Sequence, residues 1–116
     1  MTMKLSGVPV LAAIILLTTP VATTASDETS SAQDFAAENQ AAMDRMMRDM
    51  DAPPSGSIDR DFAAMMIPHH QGAIDMAMAE LRHGRNERLR RIAQGIVVEQ
   101  QQEIRAMQSV IDQELK

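Results

Sequence analysis

Met65-Met66-Ile67-Pro68-His69-His70-Gln71-Gly72-Ala73-Ile74-Asp75-Met76-Ala77 stands near the middle of the chain and carries both a helical pattern and soft, metal-binding side chains. Its apolar spacing fits a helix, and Pro68 within it removes one backbone hydrogen bond, frees the Ala64 carbonyl and bends the helix just before two adjacent imidazoles. On a wheel at 100° per residue, His69 falls within about 40° of Met65, Met76 and His83, whereas His70 lies about 40° from Met66. The two rings, about 100° apart, therefore look toward different neighbouring helices.

Working outward, Ser57 or Asp59 caps this helix, which runs to about Arg82 or His83, with Gly84 suited to the position just beyond its end. Upstream, Asp51-Ala52-Pro53-Pro54-Ser55-Gly56 breaks a first helix that runs from Gln33 to about Met50. That helix gathers Phe35, Ala36, Asn39, Met43, Met46, Met47 and Met50 on one face, with Glu38, Asp44, Arg45, Arg48 and Asp49 outside it. Downstream, Asn86 caps a long third helix reaching toward Lys116, with a buried stripe of Leu89, Ile92, Ala93, Ile96, Val97, Ile104, Met107, Val110, Ile111 and Leu115. Gly72 and Gly95 inside helical runs point to close helix approach.

The expected architecture is all-α, three amphipathic helices in an antiparallel up-down bundle. A third helix about twice the length of the first leaves an overhang, which a homodimer would cover; a frayed C-terminal end is the alternative.

Composition narrows the chemistry. The 116 residues contain no Cys, Trp or Tyr and two Phe, which excludes disulfides, thiolate metal sites and thiol nucleophiles and is poor material for a β-sandwich or a base-stacking surface. Sixteen acids against eleven Lys and Arg give −5, so a phosphate backbone is repelled and nucleic acid is not an expected partner. Residues 1–25 read as a secretory signal peptide: Lys4, an apolar stretch from Val8 to Leu17, then Pro20 and small residues. A membrane anchor is the alternative, but the apolar stretch is about half of the roughly 20 residues a span needs. Residues 26–32 follow as a flexible polar segment, and residues 33–116 as one helical metal-binding domain in a periplasmic or secreted protein, with no transmembrane segment in the mature chain.

Eleven Met in a chain almost without aromatics are either core filler or ligands. Leu would fill a core with better-defined rotamers, yet Met recurs beside His, and thioether with imidazole selects Cu(I), His also retaining Cu(II). The candidate ligands are His69, His70, Met65, Met66 and Met76, with Met43, Met46, Met47 and Met50 from the first helix. His83 is a further candidate, although the helix dipole alone favours a histidine in a last turn. Glu99, Gln100 and Glu103 either edge into solvent or orient an imidazole N–H. Arg82, Arg85, Arg88, Arg90 and Arg91 read as a solvated face or as a surface for an acidic partner.

Asp59-x-x-Phe62-x-x-x-Met66-Ile67-Pro68-His69-His70-Gln71-Gly72-Ala73-Ile74-x-Met76-Ala77, then Asn86-Glu87-x-Leu89, Ile92-Ala93 and Gln100-x-x-Glu103-Ile104-x-x-Met107, closely resembles domain-of-unknown-function family 305, which includes the CopM-like copper-binding proteins. The resemblance implies a ferritin-like bundle, export, and copper binding through Met and His linked to copper tolerance. It places the family's Met-His-His signature on Met66, His69 and His70, its following Met on Met76 and its C-terminal Met on Met107. Where many members carry Trp after that terminal Met, this chain has Val110.

The leading expectation is therefore an exported copper-binding protein, not an enzyme, that sequesters Cu(I) or shuttles it to a copper-transfer partner. Two rivals stand beside it. A ferritin-like di-iron or di-manganese oxidase draws on Glu80-x-x-His83, although such a centre needs two of these motifs. A metal-free module would grip a partner helix with its Met face.

Overall fold

The computed structural model describes residues 25–114, which form three helices and no strand: α1 (Ala25–Met50), α2 (Ile58–His83) and α3 (Glu87–Glu114). The leader and Leu115 lie outside the described residues. Among the described residues, no helix is long and apolar enough to cross a membrane.

Each boundary has a local cause. Pro53 disfavours helical backbone at Ala52, and Gly56 takes φ 94°, a conformation L side chains rarely adopt, to turn the chain. The Ser57 side chain then caps α2 by accepting from the Arg60 N–H at 3.3 Å. The Ser55 N–H donates to Asp61 at 2.8 Å, and hydrogen bonds from the Ser55 side chain and backbone hold the Asp61 carboxyl below its usual range. At the other end of α2, the Gly84 N–H donates to the Glu80 carbonyl at 2.7 Å. Gly84 is extended (φ −72°, ψ 146°) rather than left-handed, and its missing side chain leaves room for Glu80. Arg90 reaches back to the Leu81 and Gly84 carbonyls at 2.7 and 3.0 Å, satisfying acceptors that a helix end leaves open. Asn86 caps α3, its side-chain oxygen accepting from the Arg88 and Leu89 N–H groups.

The first helix starts eight residues earlier than its apolar face suggests, so residues 26–32, expected to be a flexible segment, are helical. Asp27 and Glu28 suit the positive end of the helix dipole, and tertiary bonds anchor the extension: Glu28 pairs with Arg85 at 2.7 Å, and Ser31 meets His83 at 3.4 Å. With 26, 26 and 28 residues the helices are nearly matched, so the expected overhang of the third beyond the first does not exist.

Successive helices are antiparallel, and α2 lies between the other two. Its contact with α1 is built on Gly72, which faces the Met46 side chain, and on Ala79, buried seven residues further along the same face. Its contact with α3 uses Ala63 and Ala77, against Met107 and Ala93. Ala63 and Gly72 are nine residues apart and so about 180° apart around α2. Hence α1 and α3 attach to opposite sides and share no Cα pair within 8 Å among the described residues. The result is a flat, three-helix layer held by small side chains; the buried core comprises Ala42, Ala63, Ile74, Ala77, Ala79 and Ala93.

A flat layer has two open faces, and they differ. One is polar: Arg45 pairs with Asp75 at 2.9 Å, and Arg82 pairs with Glu38. Met43 and Met47 lie about 160° from Arg45 around α1, and His69 about 120° from Asp75 around α2, so all three belong to the other face. Phe62 and Met76, seven residues either side of His69, fall within about 20° of it and line grooves with Val110 and with Leu89 and Ile92 of α3. This soft face carries most of the exposed large apolar side chains, among them Met47 at 62%, Ile92 at 59% and Phe62 at 56%. Leu89, Ile92 and Val110, expected in a buried stripe, are exposed because α1 never reaches α3. Gly95 was expected at a close approach, but a side chain there would meet nothing within 4 Å.

Candidate metal centre

The three histidines have different surroundings. His70 points toward α3: its Nδ1 lies 2.8 Å from the Met66 carbonyl and its Nε2 2.6 Å from a Glu103 carboxylate oxygen. His83 ends α2 between Glu38, 2.9 Å from Nε2, and Ser31, 3.4 Å from Nδ1, with the Phe35 ring edge-on at 6.5 Å. Arg82 and His83 together hold the Glu38 carboxyl below the usual carboxylate range, the Arg82 hydrogen bond being the larger cause. Both ring nitrogens of His70 and of His83 are thus engaged. His69 is exposed, its ring centroid lies 6.0 Å from that of His70 in an edge-on arrangement, and it has no hydrogen-bond partner for either nitrogen among the described residues. Of the three, it alone presents an uncommitted imidazole.

The sulfurs divide in the same way. Met46 facing Gly72 and Arg45 paired with Asp75 fix the antiparallel register of α1 on α2. In that register Met50 comes level with His69, Met47 lies about one helical turn beyond it opposite Gly72, and Met43 comes level with Met76. Met50 and Met65 line one cleft beside Pro53 and Pro54, and Met43, Met47 and Met65 are exposed on the soft face. Imidazole and thioethers from α1 and α2 thereby share one stretch of surface. Met46 is spent on packing against Gly72.

Met66 and Met107 belong to a second level, on the α2–α3 side. The His70–Glu103 pair sets a register that puts Met66 opposite Met107, which packs near Phe62 and Val110. His83 lies 14 residues from His69, about 21 Å along the helix. The eleven candidate ligands therefore do not make one pocket: they fall into an α1–α2 group around His69, an α2–α3 group around His70, and His83 alone.

Among the described residues, no three His, Asp or Glu side chains gather into a group able to hold a metal ion. In the half-motif Glu80-x-x-His83, the histidine ring hydrogen-bonds Glu38 and Ser31. What the surface offers is a softer set, imidazole with thioether sulfur, which favours Cu(I). α2 continues as helix through Pro68, and successive positions on a helix set the two histidines about 100° apart.

Sequence reasoning missed Ser31 as a partner of His83 because the first helix starts eight residues before its apolar face, and Glu38 because it lies outside that face. Of the arginines around the second turn, expected as a solvated face or a surface for an acidic partner, Arg82 and Arg85 pair with Glu38 and Glu28 of α1 and Arg90 bonds the Leu81 carbonyl. The Asn39 side-chain oxygen is buried with no partner among the described residues, and nothing in the fold explains it.

The family model described as domain of unknown function DUF305 matches residues 13–111. A 55-residue stretch is 34% identical to an uncharacterised protein of Acanthamoeba polyphaga mimivirus, covering 47% of this chain and 36% of that one. The chain thus spans about a third of that relative's length. No solved structure matches the chain.

Proposed function

We propose that this chain, which belongs to the DUF305 family, is an exported copper-binding protein that holds Cu(I) on its soft face through His69 and the sulfurs of Met47, Met50 and Met65. The observation that carries this reading is the free imidazole of His69 on the face where methionines of two helices stand within about one helical turn of it. Thioethers are weak acceptors that prefer a soft, singly charged ion, and an imidazole adds a stronger nitrogen donor. Exposed, flexible Met side chains let ligands exchange one at a time, which suits sequestration and hand-over to a copper-transfer protein and requires no bond-making step. Met43 and Met76, one level along the same face, are the next donors an ion would meet. Export, and with it a role in copper tolerance, rests on the leader and the family resemblance.

The test is an anaerobic Cu(I) titration against a chromophoric competing chelator. The intact protein should bind tightly, His69→Ala should weaken binding by about tenfold or more, and His70→Ala should change it little. Equal loss from both variants, or loss from His70→Ala alone, would move the ion to the α2–α3 side.

A further inference from the structure

The half of the soft face between α2 and α3 is an open apolar seam from Met76, Leu89 and Ile92 at one end to Phe62 and Val110 at the other. The layer has no large side chain that is fully buried, so the single copy is a marginal fold by core size alone. We infer that a second copy of this chain seats on the seam about a two-fold axis near residues 99–100 of α3, so that the α2–α3 pairs of two copies close a four-helix bundle.

Charge identifies the occupant as another copy. Arg88 stands beside the Leu89 and Ile92 end of the seam and Asp59 beside the Phe62 and Val110 end, and neither has an ion-pair partner among the described residues. A two-fold axis midway between Leu89 and Val110 lays Ile92 of one copy over Met107 of the other. It brings Arg88 of each within about one helical turn of the other's Asp59. The chain is thereby complementary to itself when reversed, and one substitution pattern covers both ends. Area agrees: Leu89 to Val110 spans about 32 Å, and a strip two helices wide, roughly 20 Å, offers roughly 600 Å² per copy, at the lower edge for a specific interface. The α1 methionines Met43 and Met47 stay outside the contact, whereas His69, between Phe62 and Met76 on α2, borders it.

Sedimentation velocity of the metal-free protein tests this, with helicity checked by circular dichroism. A dimer with dissociation in the micromolar range is expected. Arg88→Glu should weaken it by about tenfold, and adding Asp59→Arg to that variant should restore it to within about threefold. The same register brings the two Glu99 side chains close to the axis, so Glu99→Gln should tighten the dimer. A monomer up to about 100 μM would overturn the inference and leave the seam to a different protein. A dimer that Arg88→Glu weakens and Asp59→Arg fails to rescue would overturn the two-fold register.

Discussion

Replacing Gly72 and Gly95 by alanine, singly, separates helix propensity from packing in one experiment. Both glycines lie inside helices, and each Gly→Ala change gains about 1 kcal/mol of helix propensity. At Gly95 a new Cβ would enter open space, so the gain is kept whole and the variant should be stabilised by about 1 kcal/mol. At Gly72 the Cβ would stand 2.8 Å from the Met46 sulfur, 3.1 Å from its Cβ and 3.2 Å from its Cγ. Rotation of the sulfur alone cannot relieve that, because the Met46 Cβ is fixed to the α1 backbone; the helices must part. Overpacking of this kind costs about 1–3 kcal/mol, which offsets the propensity gain and leaves Gly72→Ala neutral to about 2 kcal/mol destabilised. Urea denaturation reads the difference directly, and thermal unfolding should separate the two variants by several degrees, at about 4–8 °C per kcal/mol for a domain this size. If Gly72→Ala stabilises as much as Gly95→Ala, α1 does not approach α2 as described and the register that brings Met50 level with His69 falls with it.

The remaining predictions concern the turn, the latch and the second level. Gly56→Ala places a side chain at φ 94° with nothing nearby to clash, so it should cost about 1–2 kcal/mol through backbone strain alone, measurable by urea denaturation. The Glu38 carboxyl, lowered by Arg82 and His83, contributes stability that is fully present above the ordinary glutamate value of about 4.3 and is lost as pH falls through its lowered folded value. Unfolding midpoints should therefore drop on acidification across that window, and Glu38→Gln should flatten this part of the profile; an unchanged slope would remove Glu38 as the latch. Glu103→Ala breaks a pair whose carboxylate is more than half exposed, so it should cost at most about 1 kcal/mol of stability and leave Cu(I) affinity intact.

Much of the fold is legible in local signals. Ser57, Asn86 and the Pro53-Pro54-Ser55-Gly56 break mark helix ends through chemistry that operates within a few residues. The start of α1 is not marked in this way, since residues 26–32 are polar and become helical through bonds to Arg85 and His83 more than fifty residues away. The flat layer is also hidden from an amphipathic reading, because an apolar stripe says that a helix is covered and not from which side. The clue is the pair of small-residue faces on α2, Gly72 with Ala79 and Ala63 with Ala77, half a turn apart. At the site, wheel angles separate His69 from His70 without difficulty. They do not show which ring keeps its nitrogens free, since that depends on Glu103, Glu38 and Ser31 arriving from other helices.

X-ray absorption at the copper edge of the anaerobically Cu(I)-loaded protein bears most directly on the proposed centre. The account predicts a shell dominated by sulfur with one imidazole, and loss of the imidazole signal in His69→Ala but not in His70→Ala. Two imidazoles in the shell, or a shell of nitrogen and oxygen without sulfur, would contradict it.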